Sequence, residues 1–251
     1  MSVPVLSTRR LDKSFGSLVV AKDIEIALPQ GVRYALIGPN GAGKTTLINL
    51  MTGMLRPDAG QILLGEEDIT GLDPEQRVRR GLVRTLQINS LFPHLNPLEA
   101  VTLGVCERER IARTWWRTTA DYRVAVEEAY GILDSLMLGA VCYRQTRELA
   151  YGQQRLLEIA LALATKPKVL LLDEPAAGVP RDESTELFTA INSLSQDITV
   201  LFIEHDMELV FRLASRIIVM VGGRVLVEGA PQEISADPRV REVYLGEKRH
   251  G

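Results

Sequence analysis

Gly38, Gly43, Lys44 and Thr45 fit the pattern G-x-x-x-x-G-K-[ST] within "GPNGAGKTTL". The pattern suits a polyphosphate. Glycines let the backbone curl until its N–H groups converge on phosphate oxygens. A helix that starts at the lysine turns its positive end toward the same anion. Gly38, Pro39, Asn40, Gly41, Ala42 and Gly43 would then form the cradle. Lys44 would reach the β- and γ-phosphates, Thr45 would bind Mg²⁺ through its hydroxyl, and Thr46 would touch the α-phosphate. A chance glycine-rich turn is the competing reading. The flanking runs oppose it. "VRYALIG" is strand-like, and "TTLINLMTGML" places Leu47, Leu50, Met51 and Met54 at helical spacing.

A second group of chemical residues lies in "VLLLDEP". Asp173 ends an apolar strand-like run, where a carboxylate can hold Mg²⁺ beside a bound nucleotide. Glu174 follows it and points another way, so it can orient and deprotonate an attacking water. A strand ending in a solvated acidic turn would look the same by itself. A phosphate cradle elsewhere in the same chain is what gives these acids a task.

These groups need a scaffold that places strand ends beside a helix start. The 251 residues are 46% hydrophobic and 24% charged, enough for one large α/β domain. "LVVAKDIEIAL" reads as short strand, and "PDAGQILLGEEDI" as a turn and an edge strand. Residues from about 95 to 165 are helix-like. "VLLLD", "RDESTELFTAINSLSQ" and "TVLFIEH" then read as strand, helix, strand, the order of a parallel sheet. "RIIVMVGGRVLVEG" reads as a hairpin turning at Gly222-Gly223. The helix-rich block sits inside an α/β chain, so one nucleotide-binding domain with an inserted helical part is expected over 1–251.

Composition excludes several function classes. A net charge of −3 gives no global basic field for nucleic acid. Cys106 and Cys142 are far apart, and His94, His205 and His250 are scattered, so a disulfide framework or metal cluster is not expected. "MSVPVLSTRR" lacks the features of a signal peptide. The aliphatic runs fall short of the ~20 residues that span a bilayer. Work at a membrane would therefore need other subunits to supply the spans.

The stretch "LAYGQQRLLEIALALA" separates this chain from other phosphate-loop enzymes. It resembles the ATP-binding-cassette (ABC) ATPases, whose signature reads LSGGQ before a helix. Leu149, Gly152, Gln153, Gln154 and Arg155 match, while Ala150 and Tyr151 replace the usual Ser and Gly. Glycine at a helix start makes a second anion site on a chain that already has one. The resemblance implies a P-loop NTPase core with an N-terminal antiparallel β subdomain and an inserted helical subdomain. It also implies ATP and Mg²⁺ held between two cassettes, the P-loop of one facing the signature of the other. The nucleotide-binding residues it carries over in the signature are Leu149, Ala150, Tyr151, Gly152 and Gln153.

Three further residues fall in family order. Gln87 in "RTLQ" matches the glutamine that contacts Mg²⁺ and water and senses the transmembrane partner. His205 in "IEHDM" matches the histidine that contacts the γ-phosphate; a lone histidine after a strand is otherwise structural. Phe15 in "KSFGS" matches the ring that stacks on adenine; the bland alternative is a core residue.

Within the family, "LAYGQQR", "DEPAAGV" and the tail "GRVLVEGAPQEISADPRVREVYLG" are most similar to the ATP-binding subunits of branched-chain amino acid importers. That implies a cassette on the inner face of the cell membrane, a second ATPase subunit, integral-membrane permeases and a solute-binding protein. Cassettes for urea or lipopolysaccharide share several of these signals. A cassette acting on nucleic acid or ribosomes is the rival class. "ERERIARTWWRTTADYR" mixes aromatics with five arginines against three acids, which a solvated helical face also explains. A non-hydrolysing regulatory module is opposed by intact Lys44, Asp173, Glu174 and His205. Two departures stand out. Val179-Pro180-Arg181 replace a polar residue that couples the two sites in relatives, and Leu156 and Leu161 replace arginines.

Overall fold

The computed structural model describes residues 3–85, 91–110 and 119–246. Along the chain run β1 (Leu6–Phe15), β2 (Leu18–Leu28), β3 (Arg33–Ile37), α1 (Lys44–Thr52), β4 (Ala59–Leu64), β5 (Glu67–Asp68), α2 (Pro74–Arg80) and β6 (Leu82–Arg84). Next are α3 (Pro97–Arg108), α4 (Thr119–Ser135), α5 (Tyr151–Leu163), β7 (Val169–Asp173), α6 (Arg181–Ser193) and β8 (Thr199–Ile203). α7 (Met207–Leu213), β9 (Arg216–Val221), β10 (Arg224–Gly229), α8 (Pro231–Ala236) and α9 (Pro238–Gly246) follow. No described helix is long and apolar enough to cross a membrane.

The described residues divide into two units. The first takes 3–82, 168–175 and 195–246; the second takes 83–85, 91–110, 119–167 and 176–194. The fold class is α/β, with an antiparallel sheet and a mainly parallel one in addition to the helices.

The antiparallel sheet has the order β2-β1-β4-β5. β4 therefore lies inside the sheet and the two-residue β5 forms its edge, which corrects the expectation of an edge strand at "QILL". In β2, Ala21, Ile24, Ile26 and Leu28 point into the core, and the alternation slips at Lys22 and Asp23. Asp23 makes the slip with φ 52°, and its N–H donates to Asp12 Oδ1 at 2.7 Å. A bulge of this kind keeps the apolar residues on one face when the count is off by one.

The other sheet has the order β10-β9-β3-β8-β7-β6. β9, β3, β8 and β7 run parallel, while β10 returns antiparallel to β9. β3 and β8 are buried along their full length, as continuous apolar runs covered on both faces must be. Gly222 and Gly223 have φ 53° and 75°, the pair of left-handed residues that a tight hairpin needs. Leu36, Leu47, Met51, Leu171, Leu201 and Met220 share one core cluster. That cluster packs α1 against the parallel strands.

α1 is only nine residues long. Gly53 closes it in the left-handed region (φ 81°), its N–H donating to the Leu50 carbonyl. Met54 lies past this cap and is 65% exposed, so it does not join the apolar face expected for it. Arg77 of α2, 1% exposed, finishes the helix end. Its guanidinium donates to the carbonyls of Leu50 (2.7 Å), Met51 (2.6 Å), Thr70 (2.8 Å) and Leu72 (3.0 Å). Helix C-terminal carbonyls have no partner within the helix, and a buried cation meets both that need and the helix dipole. Arg77→Ala removes four hydrogen bonds to carbonyls in a buried place, of which Leu50 keeps a second donor in the Gly53 N–H. It should cost about 3 kcal/mol, seen as a lower urea midpoint with an unchanged slope.

In the second unit, Asn96 and Glu99 exchange side-chain-to-backbone bonds of 2.9 Å at the start of α3, with Pro97 in its first turn. Arg108, on the last turn of α3, pairs with Glu128 of α4 at 2.7 Å and donates to the Ala164 carbonyl just past α5. One side chain thus ties three helices together.

Candidate active site

The loop between β3 and α1 is shaped by glycines that no other residue could replace. Gly38 and Gly43 have φ 151° and 98°. A Cβ on Gly38 would lie 2.1 Å from the Met220 carbonyl oxygen, and one on Gly43 2.3 Å from that of Val20. Both are backbone contacts that cannot yield. The Gly223 N–H also donates to the Ala42 carbonyl at 3.1 Å, fixing the loop to the β9–β10 turn. Gly43 caps α1 without a side chain, and the first turn of α1 carries no acid. Its N-terminal field is therefore offered to whatever the loop encloses. Thr45 is exposed on that first turn, beside half-buried Thr46.

Lys44 is 7% exposed. Its ammonium curls back over the loop and donates to the carbonyls of Gly38 (2.7 Å) and Pro39 (3.0 Å). The cation thus sits at the centre of the curl, where a polyphosphate would need it. The cradle, the helix start and the cation fit an anion of several charges. The Thr45 hydroxyl and the Asp173 carboxylate are oxygen donors of the hard type that Mg²⁺ prefers.

Asp173 closes β7 in register with Ile203 of β8. The chain then turns sharply. Glu174 adopts φ 49°, a left-handed conformation that costs a non-glycine residue on the order of 1 kcal/mol. Its N–H donates to the Ile203 carbonyl at 3.1 Å, which holds the turn. The turn carries the Glu174 carboxylate to His205, just beyond β8, with Oε1 and Nε2 3.0 Å apart. Both side chains are about half exposed, with 45% and 48% of their surface open. A ring protonated at Nε2 donates to the carboxylate and holds it in one orientation. Asp206, next in the chain, caps α7 by accepting from the N–H groups of Glu208 and Leu209. That cap fixes the backbone that carries His205.

Phe15, at the end of β1, is 50% exposed, so the core alternative for it does not hold. Lys13 Nζ lies 5.5 Å from its ring centre. Gln87 lies outside the described residues.

The second unit carries the stretch from Leu149 to Arg155. Ala150 precedes α5, and Tyr151, Gly152 and Gln153 form its first turn. Gln153 Oε1 accepts from the Ala150 N–H at 3.2 Å. Leu149 and Leu156 are buried, in line with plain packing for Leu156, while Leu161 is half-buried. Arg155 stacks on Tyr151 at 5.5 Å and pairs with Glu158 at 3.0 Å. Burial pushes the Glu158 carboxyl up to about 7, against the opposing pull of Arg155. Tyr151 also lies over Gly178, where a Cβ would meet its hydroxyl at 3.3 Å. The Tyr151 ring therefore packs on the segment leading into α6. Pro180 stands at the N-cap of α6, exposed like Arg181.

Residues 21–177 match the family model described as ABC transporter. The chain belongs to the ABC transporter family. Residues 224–250 match a second family model, described as branched-chain amino acid ATP-binding cassette transporter. The chain is 40% identical to the high-affinity branched-chain amino acid transport ATP-binding protein LivG of Escherichia coli (strain K12), over 98% of this chain and all of that one. It is 38% identical to the corresponding BraF of Pseudomonas aeruginosa, again over 98% of this chain and all of the relative. Among solved structures, the ADP conformation of an ATP-binding cassette of an ABC transporter superposes with a TM-score of 0.83. That match has 32% identity and covers 96% of this chain and 98% of the other.

As an ABC cassette the chain is an ATPase whose hydrolysis is coupled to transport. The first unit brings Lys44, Asp173, Glu174 and His205 onto the loops that follow the parallel strands and the start of α1, the usual position for sites in such sheets. Sequence reasoning passed over one contact at the start of α5. The Gly152 N–H donates to Glu183 Oε2 at 2.7 Å. No periodicity links residues 152 and 183. The only prior signal was an acid in the first turn of a predicted helix.

Proposed function

We propose that this chain powers the uptake of branched-chain amino acids through separate integral-membrane permease subunits. It would bind on the inner face of the cell membrane, with a solute-binding protein delivering the cargo outside. The pairing of Glu174 with His205 at 3.0 Å, beside a loop built for polyphosphate, carries the hydrolytic part of this reading. The match of the C-terminal segment 224–250 supports the cargo.

Two cassettes close on two ATP molecules. Lys44 and the α1 N-terminus hold the β- and γ-phosphates, and Phe15 stacks on adenine. Gly152 and its neighbours in a second cassette complete the site on the far side of the γ-phosphate. Thr45, Asp173 and Gln87 would hold Mg²⁺, which when bound neutralises charge on the phosphate oxygens. Glu174 accepts a proton from water as the water oxygen bonds to the γ-phosphorus. The bond from that phosphorus to the β,γ-bridging oxygen breaks, leaving ADP and phosphate. His205 keeps the carboxylate aimed. Loss of the bridging phosphate removes the anion that joins the cassettes, and they part. Both units of the chain act here as parts of one nucleotide-binding domain, with 95–165 as its helical insertion.

Deleting the chain from its host should abolish uptake of labelled leucine, isoleucine and valine, and the parent sequence should restore it. Normal uptake of all three in the deleted strain, with a different solute lost instead, would overturn the cargo.

A further inference from the structure

Glu183 holds the donor that the signature would offer to a nucleotide. Its Oε2 accepts from the Gly152 N–H at 2.7 Å. A Cβ on Gly152 would lie 2.6 Å from that oxygen and 3.0 Å from the Glu183 Cβ, so the missing side chain is the space the carboxylate fills. Glu183 sits in the first turn of α6 and bonds into the first turn of α5. One negative charge thus serves two helix N-termini, neither of which has a side-chain oxygen at its N-cap, since Ala150 and Pro180 occupy those positions.

We propose that Glu183 is a latch: an internal carboxylate that stands in for the γ-phosphate at Gly152 and must let go before a second copy's ATP can dock there. This rests on the proposed sharing of each nucleotide between two cassettes. A backbone N–H has one proton to give. A carboxylate left within reach of it would also face the phosphate oxygens charge against charge. Sharing is therefore disfavoured, and release is the way forward. Glu183 is half-buried, on a side chain long enough to swing into solvent. The latch keeps the cassette open until ATP supplies an anion of higher charge, and it sets the ATP concentration at which closure begins.

The test uses the full chain carrying Glu174→Gln, in which turnover is suppressed, and follows mass by light scattering as ATP is raised. Adding Glu183→Ala removes the competing anion and should lower the ATP concentration at half-dimerisation about tenfold, the worth of one charge-assisted hydrogen bond. Glu183→Gln keeps the size and a weaker neutral acceptor, and should fall between Ala and the parent. A residue that only braced α5 against α6 gives the opposite order, with both variants needing as much ATP or more, and that result overturns the latch. The two failures are separable. If Glu174→Gln alone stays monomeric at saturating ATP, the pairing of two copies fails and the latch falls with it. If it dimerises and the Glu183 variants do not shift the midpoint downward, the latch alone is wrong.

Discussion

Glu174→Gln lowers ATP turnover by about 10²- to 10⁴-fold, the range for loss of a positioned general base, while ATP stays bound. The substitution is nearly isosteric. The amide can still accept from His205 at the place where Oε1 now stands, 3.0 Å from Nε2. It can also hold the left-handed turn, because that turn is fixed by the backbone bond to Ile203. What disappears is the negative charge that takes the proton from water. Binding of ATP depends on Lys44 and the glycine loop, so affinity should change little. A fluorescent ATP analogue and a phosphate-release assay on the same sample separate the two quantities. Turnover within a factor of two of the parent would assign the proton to another group.

Lys44→Ala acts on the other quantity. The ammonium is held over the loop by the Gly38 and Pro39 carbonyls, which place it for phosphate. A preplaced cation loses little freedom on binding. Two charge-assisted bonds to phosphate, each worth about 1.5 kcal/mol, correspond to a loss in ATP affinity of about 100-fold. Titration calorimetry should show it, with hydrolysis falling to background. The fold should survive, because the loop remains tied to the β9–β10 turn through Gly223 and Ala42. Retained tight binding of ATP would contradict the cradle.

The two variants bear on residues that were plain in the sequence, and the physical reason is local geometry. A loop that must curl around phosphate needs glycine at fixed offsets. Gly38 and Gly43, pressed against the carbonyls of Met220 and Val20, show why no substitute would fit. A parallel sheet likewise demands continuous apolar runs, and β7 and β8 are such runs. Asp173 and His205 could be placed at strand ends for that reason.

Other features were written in the sequence and passed over. Asp73, Pro74 and Gln76 form a capping box that announces α2. Gly53 announces the end of α1, which is why Met54 falls outside the helix. Arg77 and Glu183 belong to a different class. Arg77 reaches carbonyls 26 and 27 positions away, and Glu183 reaches an amide 31 positions away. Nothing in the spacing of a chain reports such bonds, because only the packing of two helix ends creates the need for them. In both cases the sequence shows a charged residue on a helix, and the fold decides that it closes a helix terminus.

The most direct test of composite nucleotide binding is the mass of the protein in solution while ATP is present, measured by light scattering beside the hydrolysis rate. The account predicts that Glu174→Gln doubles from 27.8 kDa in ATP and stays single in ADP, and that the parent's rate per molecule rises with protein concentration. A parent that hydrolyses ATP at full speed, at a constant rate per molecule and with the mass of a single chain throughout, would contradict it.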